Sequence, residues 1–374
     1  MNNGALDQRE PPRITEDDRA VSDQPRRNYS LLGEQGRLAL EQGLAEAEWY
    51  RSPVPRKRMK ELMQRRDGPA LRDTALWLGL LAAFGLAGAW LYPSWWAVVP
   101  LAAYGVLYGS ASDSRWHECG HGTAFRTPWM NTVVYYLACF MIMRDPTVWR
   151  WSHTRHHTDT IIVGRDPEIL AMRPPKLGLI ALNYLGLVDV WRAAGHLLVH
   201  ASGRMLVEEA TFVPTSERPK TYWTARVWLV IYVAIVVACA ATTSLLPALL
   251  VGLPRLYGAW HHVLTGLAQH GGLADNVTDH RLNTRTVYLN PISRFVYWNM
   301  NYHIEHHMFP LVPFHALAAL HDEIKADLPT PSPSIAAAYA ELVPVLLRQR
   351  RDPNIYLGWP GPGQTRSVVP MVGP

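Results

Sequence analysis

The chain has 374 residues, a formal charge of +5 and a hydrophobic fraction of 48%. Such averages would suit a soluble protein of one or two domains, but the apolar residues are segregated: residues 1 to 72 are charged and broken by prolines, whereas 74 to 112 carry no charge. That segregation excludes an ordinary soluble globule, and the three cysteines, Cys119, Cys139 and Cys239, have no paired spacing that would indicate a disulfide framework or a thiolate zinc site.

No short apolar core follows Met1, so insertion is expected to depend on internal segments. Residues 1–70 are expected to form a cytoplasmic N-terminal region. Its basic run, Arg56, Lys57, Arg58, Lys60, Arg65 and Arg66, with Arg72 just beyond, reads beside an apolar stretch as a membrane anchor rather than a nucleic-acid patch. Residues 71–328 are expected to form the membrane-embedded catalytic domain. Thr74 to Tyr92 has 19 residues, about 28 Å as a helix, which matches the hydrocarbon core of a bilayer. Pro93-Ser94 turns the chain, and Trp95 to Ser112 returns as a second apolar limb, giving a helical hairpin with spans at about 74–92 and 95–112.

Trp129 to Met143 and Leu177 to Val199 are apolar but interrupted by Asn183, Asp189, Arg192 and His196, the pattern of interfacial or buried helices. A second hairpin is expected at about 223–241 and 247–268. Its return limb carries Arg255, which is costly at membrane depth unless it pairs, snorkels or faces a cavity. Both hairpin turns lack Lys and Arg, which puts both termini and the region between the hairpins on the cytoplasmic side. Residues 329–374 read as a Pro-rich tail with a short helical patch to about Arg348 and an irregular end. The expected fold is an all-α, multi-pass integral membrane protein: four transmembrane helices in two hairpins, with a helical cytosolic cap holding a polyhistidine dimetal site.

Histidines carry the chemistry. Of 16, eight fall into three compact groups: His117 and His121; His153, His156 and His157; His303, His306 and His307. Spacings of i, i+3 and i+4 put each group on one helix face, and all three lie beyond the spans on one side. Eight imidazoles exceed what one tetrahedral zinc uses, so two metals are the economical reading. HECGH at 117–121 also matches a zinc-protease motif, but the two His-x-x-His-His groups and the hairpins disfavour that chemistry. A lone pair such as His196 and His200 reads as packing or surface chemistry. Candidates for holding the ligands' outer nitrogens, close in sequence to the groups, are Glu118, Asp159, Asp166, Asn299, Asn301 and Glu305. Trp149, Trp151 and Trp298 are placed either to wall an apolar substrate channel or to pack at an interface.

HECGHGTAF from 117, WSHTRHH ending at 157 and NMNYHIEHHMFPLVPFHAL from 299 resemble, in order, the three histidine boxes of the membrane fatty-acid desaturase and hydroxylase superfamily, over about residues 70 to 328. The resemblance implies a mushroom-shaped protein whose cytosolic cap holds two non-haem irons, with O2 as co-substrate and an acyl chain or related amphipathic molecule as substrate. It also implies a ninth ligand near the end of the last span, which His270 in QHGG matches; one turn earlier, where related enzymes often offer a polar group, this chain has Gly266, and His262 is carried as an extra candidate ligand. The expected reaction is desaturation by C–H abstraction, with hydroxylation on the same scaffold as the alternative. A membrane metal-binding or transport protein is the reading from another class, disfavoured because transport ligands belong near the bilayer midplane. No haem-attachment or iron–sulfur cysteine set occurs, so electrons are expected from an external carrier such as ferredoxin with its reductase, and Arg144, Arg150, Arg155 and Arg165 are candidates to receive it or to bind an anionic headgroup. The lipid bilayer is the remaining partner; nucleic acid is not expected.

Overall fold

The computed structural model describes residues 27–362 and 364–370; the parts of the expected N-terminal region and C-terminal tail in 1–26 and 371–374 lie outside them. After α1 (Glu34–Glu41), an extended stretch leads to α2 (Arg56–Leu62) and α3 (Asp67–Leu91). Asp67 opens α3 with its negative charge at the positive end of the helix dipole, and its carboxylate accepts hydrogen bonds from the Thr127 backbone N–H (2.9 Å) and hydroxyl (2.8 Å). Trp77 and Leu81 face inward, while Leu76, Leu78, Leu86 and Trp90 are exposed, so the outer face of this helix is suited to hydrocarbon. Pro93 lacks an amide hydrogen to continue the ladder.

The return limb runs without interruption through α4 (Val98–Gly105), a π-helical segment (Val106–Ser110) and α5 (Ala111–Gly120). It passes the expected end at 112 and delivers the first histidine group on the same helical rod. Small residues let the rods approach: a Cβ at Gly88 would fall 2.7 Å from a Leu101 methyl, and one at Gly258 would fall 1.7 Å from the Gly105 carbonyl oxygen. At that crossing the Ser110 hydroxyl donates to the Gly258 carbonyl (2.6 Å).

α6 (Pro128–Met141), α7 (Pro146–Thr158), α8 (Leu177–Asn183) and α9 (Leu187–Ala201) follow, the last two bent by 82°. Then comes α10 (Arg218–Thr242), which starts five residues before the expected span and ends on Thr243 in the left-handed conformation (φ 48°). The second return limb is not one helix. It is broken into α11 (Leu246–Leu250), α12 (Pro254–Tyr257) and α13 (Trp260–His270), because Pro247 and Pro254 start new turns and Gly252 takes a positive φ of 94°. Arg255 on this limb is buried and paired with Asp189 of α9 at 3.1 Å, so the charge that threatened this segment is answered from a neighbouring helix. Among the described residues, two helical stretches are long and apolar enough to cross a bilayer, 56–91 and 218–242, and α8 with α9 reaches that length only as the bent pair.

The cap is completed by α14 (His280–Asn283), α15 (Pro291–Tyr297), α16 (His303–Met308), α17 (Leu317–Ile324) and α18 (Ile335–Gln349). Its core joins the first hairpin to α15 through Arg115, a fully buried guanidinium between the rings of Trp77, Phe295 and Trp298 at 5.0–5.4 Å, with Nη1 donating to the Val296 carbonyl at 2.6 Å. Where an irregular end was expected, strands β1 (Ile355–Gly358) and β2 (Ser367–Pro370) form an antiparallel hairpin. Isolated β-branched residues in a Gly/Pro-rich stretch gave little periodic signal, yet the Leu357 amide finds the Gly272 carbonyl (2.8 Å) and docks the hairpin behind α13.

Candidate metal centre

Four elements converge. α5 carries His117 and, at its C-cap, His121; α7, capped by Asp145 accepting from the Thr147 and Val148 amides, carries His153, His156 and His157; α13 ends on His270; α16 carries His303, His306 and His307. The end of α13 is held by Arg285, whose Nη1 donates to the carbonyls of Ala268 (2.6 Å) and Gly271 (3.3 Å), covering C-terminal acceptors that would otherwise be orphaned.

The nine histidines meet: eight fall in two tight sets and His303 borders the second. The ligand atoms of His117, His121, His153, His157 and His306 lie within 4.8 Å of one another, and so do those of His156, His270 and His307. His303 stands outside the tight second group but faces it, its Nε2 3.1 Å from His307 Nε2 and its ring 5.0 Å from that of His270. In the first set Nε2 faces Nε2 between His117 and His306 at 2.8 Å, His121 and His153 at 3.1 Å, His153 and His157 at 3.1 Å, and His157 and His306 at 3.2 Å. Metal–nitrogen bonds of about 2.1 Å at right angles put adjacent ligand nitrogens about 3 Å apart, so the spacing is that of neighbours around a shared cation. Three of the outer nitrogens are backed by acceptors. His156 Nδ1 faces Asp166 Oδ2 (2.8 Å), His153 Nδ1 faces Glu168 Oε2 (3.0 Å) and His270 Nδ1 faces the Asn283 carbonyl (2.9 Å). With a proton held outward on Nδ1, the Nε2 lone pair points inward, and buried His270 Nε2 has no protein partner.

Electrostatics favours neutral imidazoles, the form a metal requires. Burial, followed by the neighbouring histidines, pushes His117, His153, His157, His303, His306 and His307 well below their ordinary value, and lowers His121 to about 4 and His270 to about 3. His156 is the exception: burial lowers it, but the Asp166 carboxylate and its hydrogen bond outweigh burial and raise it. The donor set is nine nitrogens in two adjacent groups with no thiolate, which fits two imidazole-tolerant metals and exceeds the need of one zinc.

Of the six polar residues expected behind the ligands, Asp166 touches one. The other five brace the surrounding loops. Glu118 accepts from Thr123 Oγ1 (2.7 Å) and the Phe314 amide (3.0 Å), and Asp159 pairs with Arg155 (3.6 Å) and Arg165 (3.1 Å). Asn299 accepts from Arg294, Asn301 donates to the Val287 carbonyl, and Glu305 holds Thr286 and His321. His262 does not join either set: it lies against Arg255 (3.0 Å) and near Asp189, and its backbone amide donates to Ser110. Gly266 faces open space except for a Leu170 methyl at 3.9 Å. Trp149 packs edge-on to Trp116, which lies against His117 and His153, whereas Trp298 is buried on Phe314 in the core. Trp151 is partly buried on α7. Of the four arginines expected to receive a donor, Arg144 pairs with Asp113 (2.9 Å) over the Trp149 ring and Arg155 and Arg165 share Asp159, whereas Arg150 is exposed and lies over Tyr135.

Sequence reasoning missed Glu168, the Asn283 carbonyl, Arg285 and His280. Glu168 follows Asp166 by two residues in RDPE after the second histidine group, and that acidic pair was the available signal. His280 is buried with its ring 5.1 Å from that of His307 and stacks on Trp49 at 4.4 Å; nothing in its local spacing marked it.

A family model described as Fatty acid desaturase matches residues 93–338. The chain is similar to the sn-2 acyl-lipid omega-3 desaturase (ferredoxin), chloroplastic, of Helianthus annuus, 32% identical over 108 residues covering 29% of this chain and 23% of the relative. It is similar to the chloroplastic omega-3 fatty acid desaturase of Glycine max, 39% identical over 80 residues covering 21% of this chain and 17% of the relative. A longer match, 25% identical over 263 residues, joins 64% of this chain to 66% of the acyl-lipid omega-3 desaturase (cytochrome b5), endoplasmic reticulum, of Arabidopsis thaliana. The chain thus spans under a quarter of the first two relatives and 66% of the third.

Proposed function

The chain belongs to the fatty acid desaturase family, and from that premise we propose that it is a membrane-bound, non-haem diiron oxidoreductase that desaturates an alkyl or acyl chain. The observation that carries the reading is the pooling of nine imidazoles into two adjacent sets, with inward nitrogens about one ligand edge apart and outward nitrogens tied to Asp166, Glu168 and the Asn283 carbonyl. His117, His121, His153, His157 and His306 would hold one iron, and His156, His270, His303 and His307 the other. Iron held there would supply the O2-dependent cleavage of an unactivated C–H bond, which side-chain acids and bases do not achieve at neutral pH.

The protein's part is positional. Asp166 and Glu168 keep protons on the outer nitrogens of His156 and His153, so that the inner nitrogens remain bases, and Trp116 covers His117 and His153 with an apolar ring that excludes water. The reaction balances as removal of two hydrogens from adjacent carbons, with O2 taking those hydrogens, two electrons and two further protons to give two waters. The electrons come from an external acidic carrier; two of the similar proteins carry ferredoxin and cytochrome b5 in their names. Four spans in two hairpins, with both termini and the histidines cytoplasmic, are supported by the helix pairs α3 with α4–α5 and α10 with α11–α13, and by the absence of Lys and Arg from both hairpin turns.

Lipids from cells with and without the expressed protein, compared by mass spectrometry, test the reading. A product lighter by two hydrogens is expected. A product heavier by one oxygen would replace desaturation with hydroxylation, and reversible metal binding with no O2 consumption would replace the oxygenase with an ion-binding protein.

A further inference from the structure

The described cysteines are Cys119 and Cys139, both buried, and Cys239, none bonded to another. A reaction consuming two electrons per turnover therefore needs a place for their carrier to land. Of the four arginines nearest the second histidine group in sequence, Arg144, Arg155 and Arg165 are ion-paired and Arg150 lies over Tyr135, whereas a cluster of exposed, unpaired positive charge surrounds α2. Arg51, Arg56, Lys57, Lys60, Arg65 and Arg66 are exposed, and none is ion-paired among the described residues. Arg58 does pair, with Glu61 and, at 2.6 Å, with Glu323 of α17, and this tie together with buried Leu62 fixes α2 to the cap.

Between α2 and the end of α16 lies a groove of about 590 Å³ with an apolar floor of Val54, Met59, Met63 and Phe309 and a rim carrying Arg56 and Lys60. Phe309, the residue that caps α16, follows His307 by two residues, so the floor adjoins the end of the helix that carries a histidine of the metal centre. Ser52 on the same wall contacts Met308 Sδ at 3.6 Å. From that edge the chain runs three residues back to Trp49, which is partly exposed and stacks on His280, whose ring in turn stands 5.1 Å from that of His307. The basic surface thus lies over a short packed route to the second histidine set.

We infer that the α2 groove is the docking surface for the electron donor, and that its occupant is a small acidic iron–sulfur protein of the ferredoxin type. The inference rests on the oxygenase reading. An apolar floor inside a cationic rim is the arrangement that aligns an acidic protein partner and speeds its encounter. A lipid headgroup would need the charges at membrane level, and Arg65 and Arg66, which directly precede α3, meet that requirement better than Lys57 and Lys60, which stand on the helix tied to α17. Each docked carrier delivers one electron and leaves oxidised, and two such visits per turnover close the balance given above.

The experiment uses the full chain in nanodiscs of phosphatidylcholine, which removes anionic lipid, with an acidic plant-type [2Fe–2S] ferredoxin as probe and binding read as Kd against salt. Lys57→Glu with Lys60→Glu is expected to weaken Kd at least about tenfold and to flatten its salt dependence. Lys57→Gln with Lys60→Gln should fall between that variant and the wild type, and Arg350→Glu at the end of α18 should match the wild type. An unchanged Kd in the Glu double variant, or tighter binding of a soluble cytochrome b5 domain than of ferredoxin, would overturn the inference. So would an effect of the double variant that emerges only when anionic lipid is restored, since that would assign the patch to headgroups. Wild-type turnover driven by dithionite separates the two levels: its occurrence with an unaltered ferredoxin Kd rejects this surface alone, whereas its absence with every reductant rejects the oxygenase.

Discussion

The two hairpins bring histidines to the same place by different means. The first does so with one rod, in which the hydrogen-bond ladder from Val98 to Gly120 carries His117 and His121 to the centre, widened once at Val106–Ser110. The second return limb is three short pieces, and His270 reaches its position because Arg255 pairs with Asp189 and Arg285 covers the last carbonyls of α13. A continuous helix transmits position through its own backbone. A broken one depends on side chains that clamp it, so the second metal set should be the more sensitive to changes far from any ligand.

The largest effect should come from the ligands. His156→Ala is expected to remove product formation and to lower iron content by about half, with membrane insertion retained, because His156, His270 and His307 lose one member while the first set stays whole. Full activity in this variant would take His156 out of the ligand set.

Next comes the clamp. Arg255→Met leaves Asp189 without its buried partner and should destabilise the folded state by up to about 3 kcal/mol, the low end for a broken buried pair since Asp189 is partly solvated. Iron should be lost from the second set before the first. An equal loss from both sets, followed by Mössbauer spectroscopy, would contradict the idea that the broken limb serves one set alone.

The supports behind the ligands rank third. Asp166→Asn acts on His156 and Glu168→Gln on His153, and each should weaken iron affinity by roughly 10- to 100-fold in its own set. Chelator titrations that cannot distinguish these two variants from each other would mean that the two sets do not behave as separate sites.

The smallest effect is on pH. His121 and His270 have folded values of about 4 and about 3, below the unfolded value of about 6.5. Above pH 6.5 neither state binds the proton and these groups do not affect stability; as pH falls from about 6.5 toward 3 the unfolded chain binds protons that the folded chain refuses, so stability declines with acidity. Thermal unfolding of iron-free protein should therefore show a lower Tm at pH 5 than at pH 7. A Tm that does not change between those values would show that the imidazoles are not buried as neutral bases.

Much of this was legible in the sequence because the signals were local. The i, i+3, i+4 spacing of the histidines, the uncharged stretch from 74 to 112 and the Lys/Arg-free turns each belong to a short segment; the eight histidines marked by spacing and His270, which the resemblance implied, converge. What escaped depended on contacts between distant segments. Glu168 meets His153 from 15 positions along the chain, Arg255 meets Asp189 from 66, and Arg115 lies between rings drawn from α3 and α15. Glu118 and Glu305 were reasonable candidates by proximity, yet on a helix a residue next to a histidine points away from it, and both hold loops instead. The break in the second return limb could be read from its prolines, but the clamp that makes the break tolerable could not.

Iron analysis with Mössbauer spectroscopy on protein purified without oxygen tests the central claim most directly. The account predicts about two irons per chain in two nitrogen-rich environments, both released by strong chelators; one zinc per chain and no iron after growth with ample iron would contradict it.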